Sequence, residues 1–539
     1  MAVQGKFESE AVAPAGGASS APGFAWVAVV GLVGTCLAIW LAAWTKQGFP
    51  SVWPRFEDDA YYYLVIARNA AAGHGFTMDG IALTNGFQPL WMWALIPVAW
   101  LTSGDTQLLY TSVQVASVAI FCALGGVLCA FLRSLVGLRA ALIGTAVLLV
   151  PPFLNVLLSG LESGFAIGIT VLLVVELWSS QALEQAEPRL RDTRVGALLG
   201  LLLLARLDAI FVALALAAEV TVLGLYGARG AFGARLVQIA RRGLVMFGPA
   251  VVGVAPYLLW NFTRFGHWVP ISGALKSSHG QLGWMPENVA LPYQALLLLG
   301  LFGVAVAFAR PADRRLGRIL LPIAAGLVVH TLHTVVLMRW AVFAWHYALF
   351  IPLGAISAAL IFRRVEERMP VAVSRAAVTA VALFLAGAQW WSISRLHLDF
   401  TPATREAGEW VARTLPANAV LGMKDSGAFS YFSQRAVVNM DGVANSFEYE
   451  ETLCRGQLAK YLADHHVAYI AQHAVPEAKH GTYQSLVLHY PCHFEGGRES
   501  ELSLERANEV FRGTPYHDYH ENEHQLVIWR IAPLASPKP

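Results

Sequence analysis

The sequence predicts a polytopic α-helical membrane protein that carries a small α/β domain at its C-terminal end. Its 539 residues are 56% apolar and only 14% charged, the mean hydropathy is +0.51, and apolar stretches recur between residues 24 and 393. Soluble domains carry about 25% charged residues, so a string of soluble domains is excluded. The net charge of +2 predicts no nucleic-acid partner.

Eleven predicted spans account for the apolar stretches. About 20 apolar residues in a helix cross the hydrocarbon core of a bilayer. Residues 1–23, rich in Ala, Gly and Ser, are expected to be a disordered tail, and the first span has no basic lead-in or cleavage signal, which predicts that it is retained. The predicted spans are 24–44, 107–132, 140–158, 161–180, 195–206, 209–226, 243–262, 290–309, 319–338, 347–362 and 371–393.

The positions of the basic residues predict the orientation. Cytoplasmic loops carry an excess of Lys and Arg. With the N-terminus in the cytoplasm, seventeen arginines fall in the inner loops and seven basic residues fall in the outer ones. Since the number of spans is odd, the segment from about Leu398 then lies outside. The predicted domains are a tail over 1–23, a membrane domain over 24–397 and an outer α/β domain over 398–539.

The first outer loop places carboxylates where a span has just ended. Glu57, Asp58 and Asp59 precede a helical run over 60–72, and an apolar, Trp-rich stretch follows over 89–101. Both are too short for spans and are predicted to lie in the membrane interface, where aromatic residues are favoured. Asp58 and Asp59 then begin the first interfacial helix, whose dipole favours anions. The alternative is a capping pair exposed to water.

Further polar residues are predicted on the same outer side, where they are costly and mark sites. Arg and Lys bind phosphate as a planar fork and a point charge, which suits an anionic group held beside a base. Most of these residues also have a structural explanation. It is contact with lipid headgroups for Lys276, snorkelling at a span end for Arg339, an ion pair for Arg206 and Asp208, helix capping for Glu162, an interfacial aromatic belt for His346 and Tyr347, and an ordinary turn for the segment around Asn85. The candidates are Asn85, Gln88, Glu162, Arg206, Asp208, Arg264, Lys276, Arg339, His346 and Tyr347.

The order of these motifs resembles the GT-C superfamily of membrane glycosyltransferases, which use polyprenyl-phosphate-linked sugars. Similar members are the bacterial protein mannosyltransferases, the aminoarabinose transferase of lipid A and the mycobacterial terminal arabinofuranosyltransferase. The segment 420–446 also looks like the outer domain of a bacterial subgroup. The matching features are the acidic pair, the two interfacial helices with the Pro89-Leu90-Trp91 start, the turn over 160–163, the Arg206-x-Asp208 motif and the loop ending at Lys276.

The resemblance implies an inverting glycosyltransferase in the bacterial inner (plasma) membrane. It would move a sugar from a polyprenyl-phosphate donor to a cell-envelope glycan, lipid or protein outside the cytoplasm. Asp58 or Asp59 would be the general base, with Asp58 slightly ahead because related transferases tend to use the first Asp of such a pair. Three successive helical residues spread over about 200°, so all three carboxylates cannot enter one pocket.

The same resemblance assigns donor phosphate or substrate binding to the outer-side candidates, Lys276 first. We expect no cofactor and commit to no metal, although acidic pairs bind divalent cations in some relatives. The protein is expected to be a monomer surrounded by membrane lipids. The alternatives are a transporter or flippase for lipid-linked sugars and an inactive membrane scaffold. Transporters usually show internal repeats and polar groups near the midplane, and neither pattern is visible in this sequence.

The segment after residue 398 alternates predicted helices and strands, which is typical of a small α/β domain. Helices are predicted over 405–414 and 446–464, and strands over 419–423, 436–439, 467–471 and 525–531. Cys454 and Cys492 suit a disulfide in an oxidising compartment. The three histidines within 516–524 match no zinc spacing, and a solvated loop is predicted there. This domain is expected to cap the site and to bind the acceptor.

Overall fold

The computed structural model describes most of the chain from Phe56 onward. The described residues are 56–184, 190–227, 232–276, 282–338, 340, 342–394, 400–474, 483–488, 500–517 and 522–531. The predicted first span, the predicted domain boundary at 397/398, Arg339 and Cys492 lie outside these residues.

Helices form the described chain up to residue 394. The first two, α1 and α2, are the predicted interfacial helices, and Pro89 stands at the start of α2, where its missing N–H has no cost. The helices are α1 (Asp58–Ala71), α2 (Pro89–Leu101), α3 (Thr106–Val136), α4 (Leu138–Ala146), α5 (Pro151–Leu158), α6 (Ser163–Ser180), α7 (Asp192–Ala205), α8 (Ile210–Gly227), α9 (Phe232–Phe265), α10 (Ile271–Lys276), α11 (Leu291–Phe308), α12 (Arg314–Leu337), α13 (Phe350–Glu366) and α14 (Val371–Ser394).

The described helices confirm a multi-pass membrane protein but not the count of eleven spans. Seven of them are long and apolar enough to cross a membrane. The predicted span 140–158 is instead a pair, Leu138–Leu149 and Pro151–Leu158, bent by 67°, because the prolines at 151 and 152 cannot continue the helical hydrogen bonds. Helices α7 and α13 have 14 and 17 residues, which is short for a span.

Glycines bring the membrane helices into close contact. A Cβ atom on Gly196 of α7 would lie 2.1 Å from the carbonyl oxygen of Met246 on α9. A Cβ atom on Gly326 of α12 would lie 2.6 Å from the Cα atom of Val212 on α8. Small residues let helix backbones approach in this way in membranes.

A mixed sheet follows the membrane helices and confirms the predicted α/β character. Strand β1 is parallel to β2 and to β3, and β8 is antiparallel to β3 and β6, in the order β2-β1-β3-β8-β6. Strands β4 and β5 form a separate antiparallel pair. The elements are α15 (Phe400–Thr414), β1 (Val420–Met423), α16 (Gly427–Ser433), β2 (Ala436–Asn439), α17 (Phe447–Cys454), α18 (Leu458–Asp464), β3 (Tyr469–Ala474), β4 (Tyr483–Leu488), β5 (Ser500–Glu505), β6 (Glu509–Arg512), β7 (Tyr516–His517) and β8 (Glu523–Arg530).

Two predictions for this domain are wrong. The helix predicted over 446–464 is broken between α17 and α18, where Gly456 has a φ of +70° that favours glycine. The solvated loop predicted over 516–524 begins and ends in a short ladder, since Tyr516 pairs with His524. Cys454 is disulfide-bonded to a partner outside the described residues, so its pairing with Cys492 stays a prediction.

Candidate active site

The two aspartates at the start of helix α1 point in different directions. The Asp58 carboxylate accepts hydrogen bonds from the backbone N–H groups of Gly427 and Ala428, both at 2.8 Å, and so caps the start of α16. The half-buried Asp59 lines a cavity, and its carboxylate forms no hydrogen bond with any described residue. Successive helical residues differ by about 100°. One carboxylate is therefore used in domain contact and the other is left facing the cavity.

The cavity lies where the predicted outer loops meet and has a volume of about 390 Å³. This is within the range of small-molecule sites. Its walls come from α1, the segments 86–88 and 161–162, the turn 206–208, the segment 269–276, helix α12, and the residues Met338, Trp345, His346 and Val443. Most of this lining is apolar, and the polar groups stand between apolar walls such as Leu207 and Val269.

A buried ion-pair triad forms one wall. The Arg206 Nη1 atom lies 2.7 Å from Glu162 Oε1, and its Nη2 atom lies 2.6 Å from Asp208 Oδ2. The side chains of Arg206 and Glu162 are each 4% exposed. Asp208 also has the Nε2 atom of His330 at 3.7 Å. Two carboxylates thus compensate the Arg206 charge, as the structural explanation of this pair predicts.

Local contacts fix the Glu162 side of the wall. The Tyr63 hydroxyl donates to Glu162 Oε2 at 3.2 Å and accepts from the backbone N–H of Gln88 at 2.9 Å. The Trp91 indole N–H donates to the Gly160 carbonyl at 2.9 Å. Gly160 has a φ of +80°, and a Cβ atom there would lie 2.7 Å from the Phe56 ring. The turn before α6 therefore needs a glycine to bring Glu162 to the cavity.

Lys276 supplies a second positive charge to the cavity. It is half-buried at the end of α10 and lines the cavity, and it has no hydrogen bond or ion pair among the described residues. Asn85 holds the segment that leads to it: its Oδ1 accepts from the Ile271 N–H at 2.9 Å, and its Nδ2 donates to Asn261 at 3.1 Å. Lys276 is thus available to an anion, whereas Arg206 is already paired.

The environment of the cavity shifts the pKa values of Asp59 and His346. Burial raises the pKa of Asp59 to about 6; Lys276 opposes this rise, and Asp441 and Glu162 add to it. Burial lowers the pKa of His346 well below its usual value, with Lys276 and Arg206 acting in the same direction. At neutral pH, Asp59 is therefore ionised but readily protonated, and the His346 imidazole is neutral.

Seven of the residues proposed from sequence line this cavity: Asp59, Gln88, Glu162, Arg206, Asp208, Lys276 and His346. Asn85 supports it from behind. Arg264 is exposed elsewhere, and Tyr347 is buried with its hydroxyl donating to the Asn288 carbonyl. Arg339 lies outside the described residues. Within those residues, no group of three or more His, Cys, Asp or Glu is arranged to hold a metal ion.

Sequence reasoning missed several residues that line the cavity. His330 and His333, three positions apart on α12, could have been found, because ionisable residues within an apolar span mark sites. Tyr62 and Tyr63 follow Tyr61 in a run of three tyrosines that looks like an interfacial belt. Val443 of the outer domain carries no local signal.

The arrangement of the helices is similar to that of two solved membrane enzymes. ArnT from Cupriavidus metallidurans, solved bound to undecaprenyl phosphate, matches over 95% of this chain and 99% of its own, with a TM-score of 0.52 and 13% identity. The oligosaccharyltransferase of Archaeoglobus fulgidus matches over 83% of this chain and 69% of its own, with a TM-score of 0.53 and 12% identity. The protein has the GT-C fold.

Comparison of the sequence with protein-family models gives one match. Residues 394–515 match a family model described as "Domain of unknown function (DUF8728)". No curated protein is detectably similar in sequence to the chain. The matched segment contains α16, which contacts Asp58. It also contains Val443, which lines the cavity.

Proposed function

We propose that the protein is an inverting membrane glycosyltransferase. It moves a sugar from a polyprenyl-phosphate donor to a hydroxyl group of a cell-envelope acceptor, at the membrane face predicted to be outside the cytoplasm. One observation carries the proposal: an Asp59 carboxylate and a Lys276 ammonium group, neither with a hydrogen-bond partner among the described residues, face one cavity in a GT-C fold.

Asp59 and Lys276 suit the two proton and charge transfers of the reaction. Asp59 takes the proton of the acceptor hydroxyl, and the acceptor oxygen forms a bond to the anomeric carbon from the side opposite the phosphate. The bond between that carbon and the phosphate oxygen breaks, and its electron pair stays on the polyprenyl phosphate that leaves. Lys276 stabilises the charge that builds on this phosphate, and a base must reach the hydroxyl within hydrogen-bond distance.

The apolar walls suit the lipid part of such a donor. Leu161, Leu207, Val269, Pro270 and Met338 line the cavity beside the charged groups. Apolar walls can contact an isoprenoid chain without leaving polar groups buried against it. The undecaprenyl phosphate bound to ArnT in the similar structure supports a donor of this class here.

A transfer assay on purified protein in lipid tests the proposal. Labelled polyprenyl-phosphate sugars are offered with a cell-envelope extract, and transfer of label to an acceptor is the expected result. Flipping of the labelled lipid is scored in the same proteoliposomes. Flipping without transfer by any donor would contradict the proposal and favour a transporter.

Replacing Lys276 by Met is expected to weaken binding of polyprenyl phosphate by about 10- to 100-fold. A hydrogen bond to a charged group contributes about 1.5–3 kcal/mol, and the Lys276 ammonium group has no hydrogen bond or ion pair within the described part of the chain. Direct binding of the lipid phosphate in detergent measures the change. Lys460→Met, on an exposed lysine of α18, is the control. Unchanged binding in Lys276→Met would exclude Lys276 as the phosphate ligand.

The acid limb of kcat/KM is expected near pH 6. Burial raises the pKa of Asp59 to about 6, and a general base acts only when ionised, so transfer falls about tenfold per pH unit below that pKa. Lys276 lowers the pKa of Asp59, so the Lys276→Met limb should move to higher pH. A pH profile of kcat/KM from pH 4.5 to 8.5 measures both. A flat profile below pH 6 would exclude a base with this pKa.

A further inference from the structure

The outer domain holds one face of helix α1 through hydrogen bonds. Asp58 binds the N–H groups of Gly427 and Ala428. Four residues on, the Tyr62 hydroxyl donates to Asp441 Oδ2 at 3.0 Å and accepts from the Ser426 N–H at 3.1 Å. Residues i and i+4 of a helix lie on the same face, so these two contacts act on one side of α1.

Asp441 is itself rigidly held. Its Oδ2 atom accepts from the Asp425 N–H and from Asn439 Nδ2, both at 2.9 Å, and its Oδ1 accepts from the Val443 N–H at 3.0 Å. Its exposure is only 5%. A buried carboxylate with this many donors has one position available, and Tyr62 binds to it there.

The neighbouring face of α1 carries the cavity residues. Asp59 and Tyr63 each follow one residue after Asp58 and Tyr62 and line the cavity, to which Tyr62 also contributes. Since consecutive helical residues are about 100° apart, the rotation that satisfies Asp58 and Tyr62 also sets the direction of Asp59.

Two close backbone contacts keep the outer domain against the membrane part. A Cβ atom on Gly427 would lie 2.0 Å from the carbonyl oxygen of Asp58, and one on Gly86 would lie 2.1 Å from the carbonyl oxygen of Val443. Real Cβ atoms essentially never approach so closely. The domain contacts α1 and the segment before α2 at van der Waals distance, which limits movement of the base helix.

We propose that Asp441 is a positioning residue: through Tyr62 it fixes the rotation of α1 and so directs the Asp59 carboxylate into the cavity. The segment matched to a domain of unknown function therefore completes the active site and does more than cover it. This inference rests on the proposed role of Asp59 as the base.

Asp441→Asn and Tyr62→Phe are expected to lower kcat by about 10- to 100-fold, because a displacement of about 1 Å at a reacting group costs up to about 100-fold. The KM for the donor should stay within about twofold, because the donor site remains. An Asn at 441 would place an amide N–H beside backbone N–H groups that now donate to the Asp441 carboxylate. A Phe at 62 removes only the tyrosine hydroxyl. The double variant should be slowed by less than the product of the two single effects, since the two residues share one hydrogen bond.

The pH profile separates the two variants. The charged groups that act on Asp59 are Lys276, Glu162, Asp441, Asp425 and its neighbour Asp58. Asp441 raises the pKa of Asp59, so Asp441→Asn should move the acid limb to lower pH. Tyr62→Phe keeps the charge of Asp441 and should leave the limb in place while kcat falls. A variant that merely loosened the fold would not divide the two effects in this way.

The controls are Asp464→Asn at the exposed end of α18 and Tyr226→Phe at an exposed position of α8; both should match the wild type. Wild-type kcat in both Asp441→Asn and Tyr62→Phe, with transfer abolished in Asp59→Asn, would overturn the positioning role and leave the proposed function intact. Full transfer in Asp59→Asn would overturn the base itself. If Asp441→Asn does not fold, Tyr62→Phe alone decides, since Asp441 keeps its other donors there.

Discussion

Asp59→Asn is expected to lower kcat for sugar transfer by about 10²- to 10⁴-fold, the usual contribution of a general base. Asn has nearly the same shape as Asp but cannot accept the acceptor proton. Asp59 has no hydrogen bond to lose among the described residues, so thermal stability and donor binding should stay at wild-type values. Single-turnover kinetics with the labelled donor identified by the transfer assay measure the chemical step directly.

Asp58→Asn is the matched comparison, because it makes the same chemical change one residue earlier. An Asn at 58 has one acceptor oxygen where the N–H groups of Gly427 and Ala428 need two. We expect a loss of about 1–3 kcal/mol in the free energy of unfolding, from the donor left unpaired, with a smaller fall in kcat than in Asp59→Asn. Abolished transfer in Asp58→Asn with transfer preserved in Asp59→Asn would assign the base to Asp58, as the resemblance to related transferases favours.

Arg206→Met is expected to destabilise the protein by about 3–5 kcal/mol, the usual cost of removing one partner from a buried ion pair. Arg206 and Glu162 are nearly inaccessible, and the substitution leaves the carboxylates of Glu162 and Asp208 without their cation. Thermal or denaturant unfolding in detergent measures the loss. The loss of stability should be larger than the loss of donor binding, because the Arg206 guanidinium is paired with Glu162 and Asp208.

Two further variants make this test specific. Arg264→Met changes an exposed arginine that is predicted on the same side of the membrane, and it should leave the stability unchanged. The triple variant Arg206→Met, Glu162→Gln, Asp208→Asn removes the buried charges together and should recover part of the loss. If Arg206→Met keeps wild-type stability but loses polyprenyl-phosphate binding, Arg206 is a donor ligand and not a structural residue.

Local patterns predicted most of the fold. The apolar stretches located the described membrane helices, and the apolar run over 89–101 coincides with α2. Strand β2 also has its predicted bounds. The errors fall where a single residue interrupts a pattern: the prolines at 151 and 152 bend a predicted span, and Gly456 divides a predicted helix. Hydrophobic periodicity is read over a window of about 11–18 residues. It therefore does not show where a single proline or glycine interrupts the segment.

The candidate site was predicted in part, through its charged residues. Glu162, Arg206, Asp208 and Lys276 were found because charges near a span are costly and must be satisfied or used. Tyr62 and Asp441 were not found, because a tyrosine in an aromatic run and an aspartate before a glycine are ordinary features of an interfacial helix and a turn. Their roles depend on a contact between residues that are 379 positions apart.

The sequence by itself determined the membrane class and located the acidic pair at the start of α1, because hydropathy and charge act on each segment locally; the side of the membrane that this pair faces stays a prediction. Only the tertiary structure decided which of the two aspartate side chains has no hydrogen-bond partner among the described residues. Asp58 meets two N–H groups that lie 369 and 370 residues further along the chain, and Asp59 turns into a cavity built by distant loops. A hydrogen bond satisfies or releases a carboxylate only through its three-dimensional neighbours, which no pattern of adjacent residues specifies.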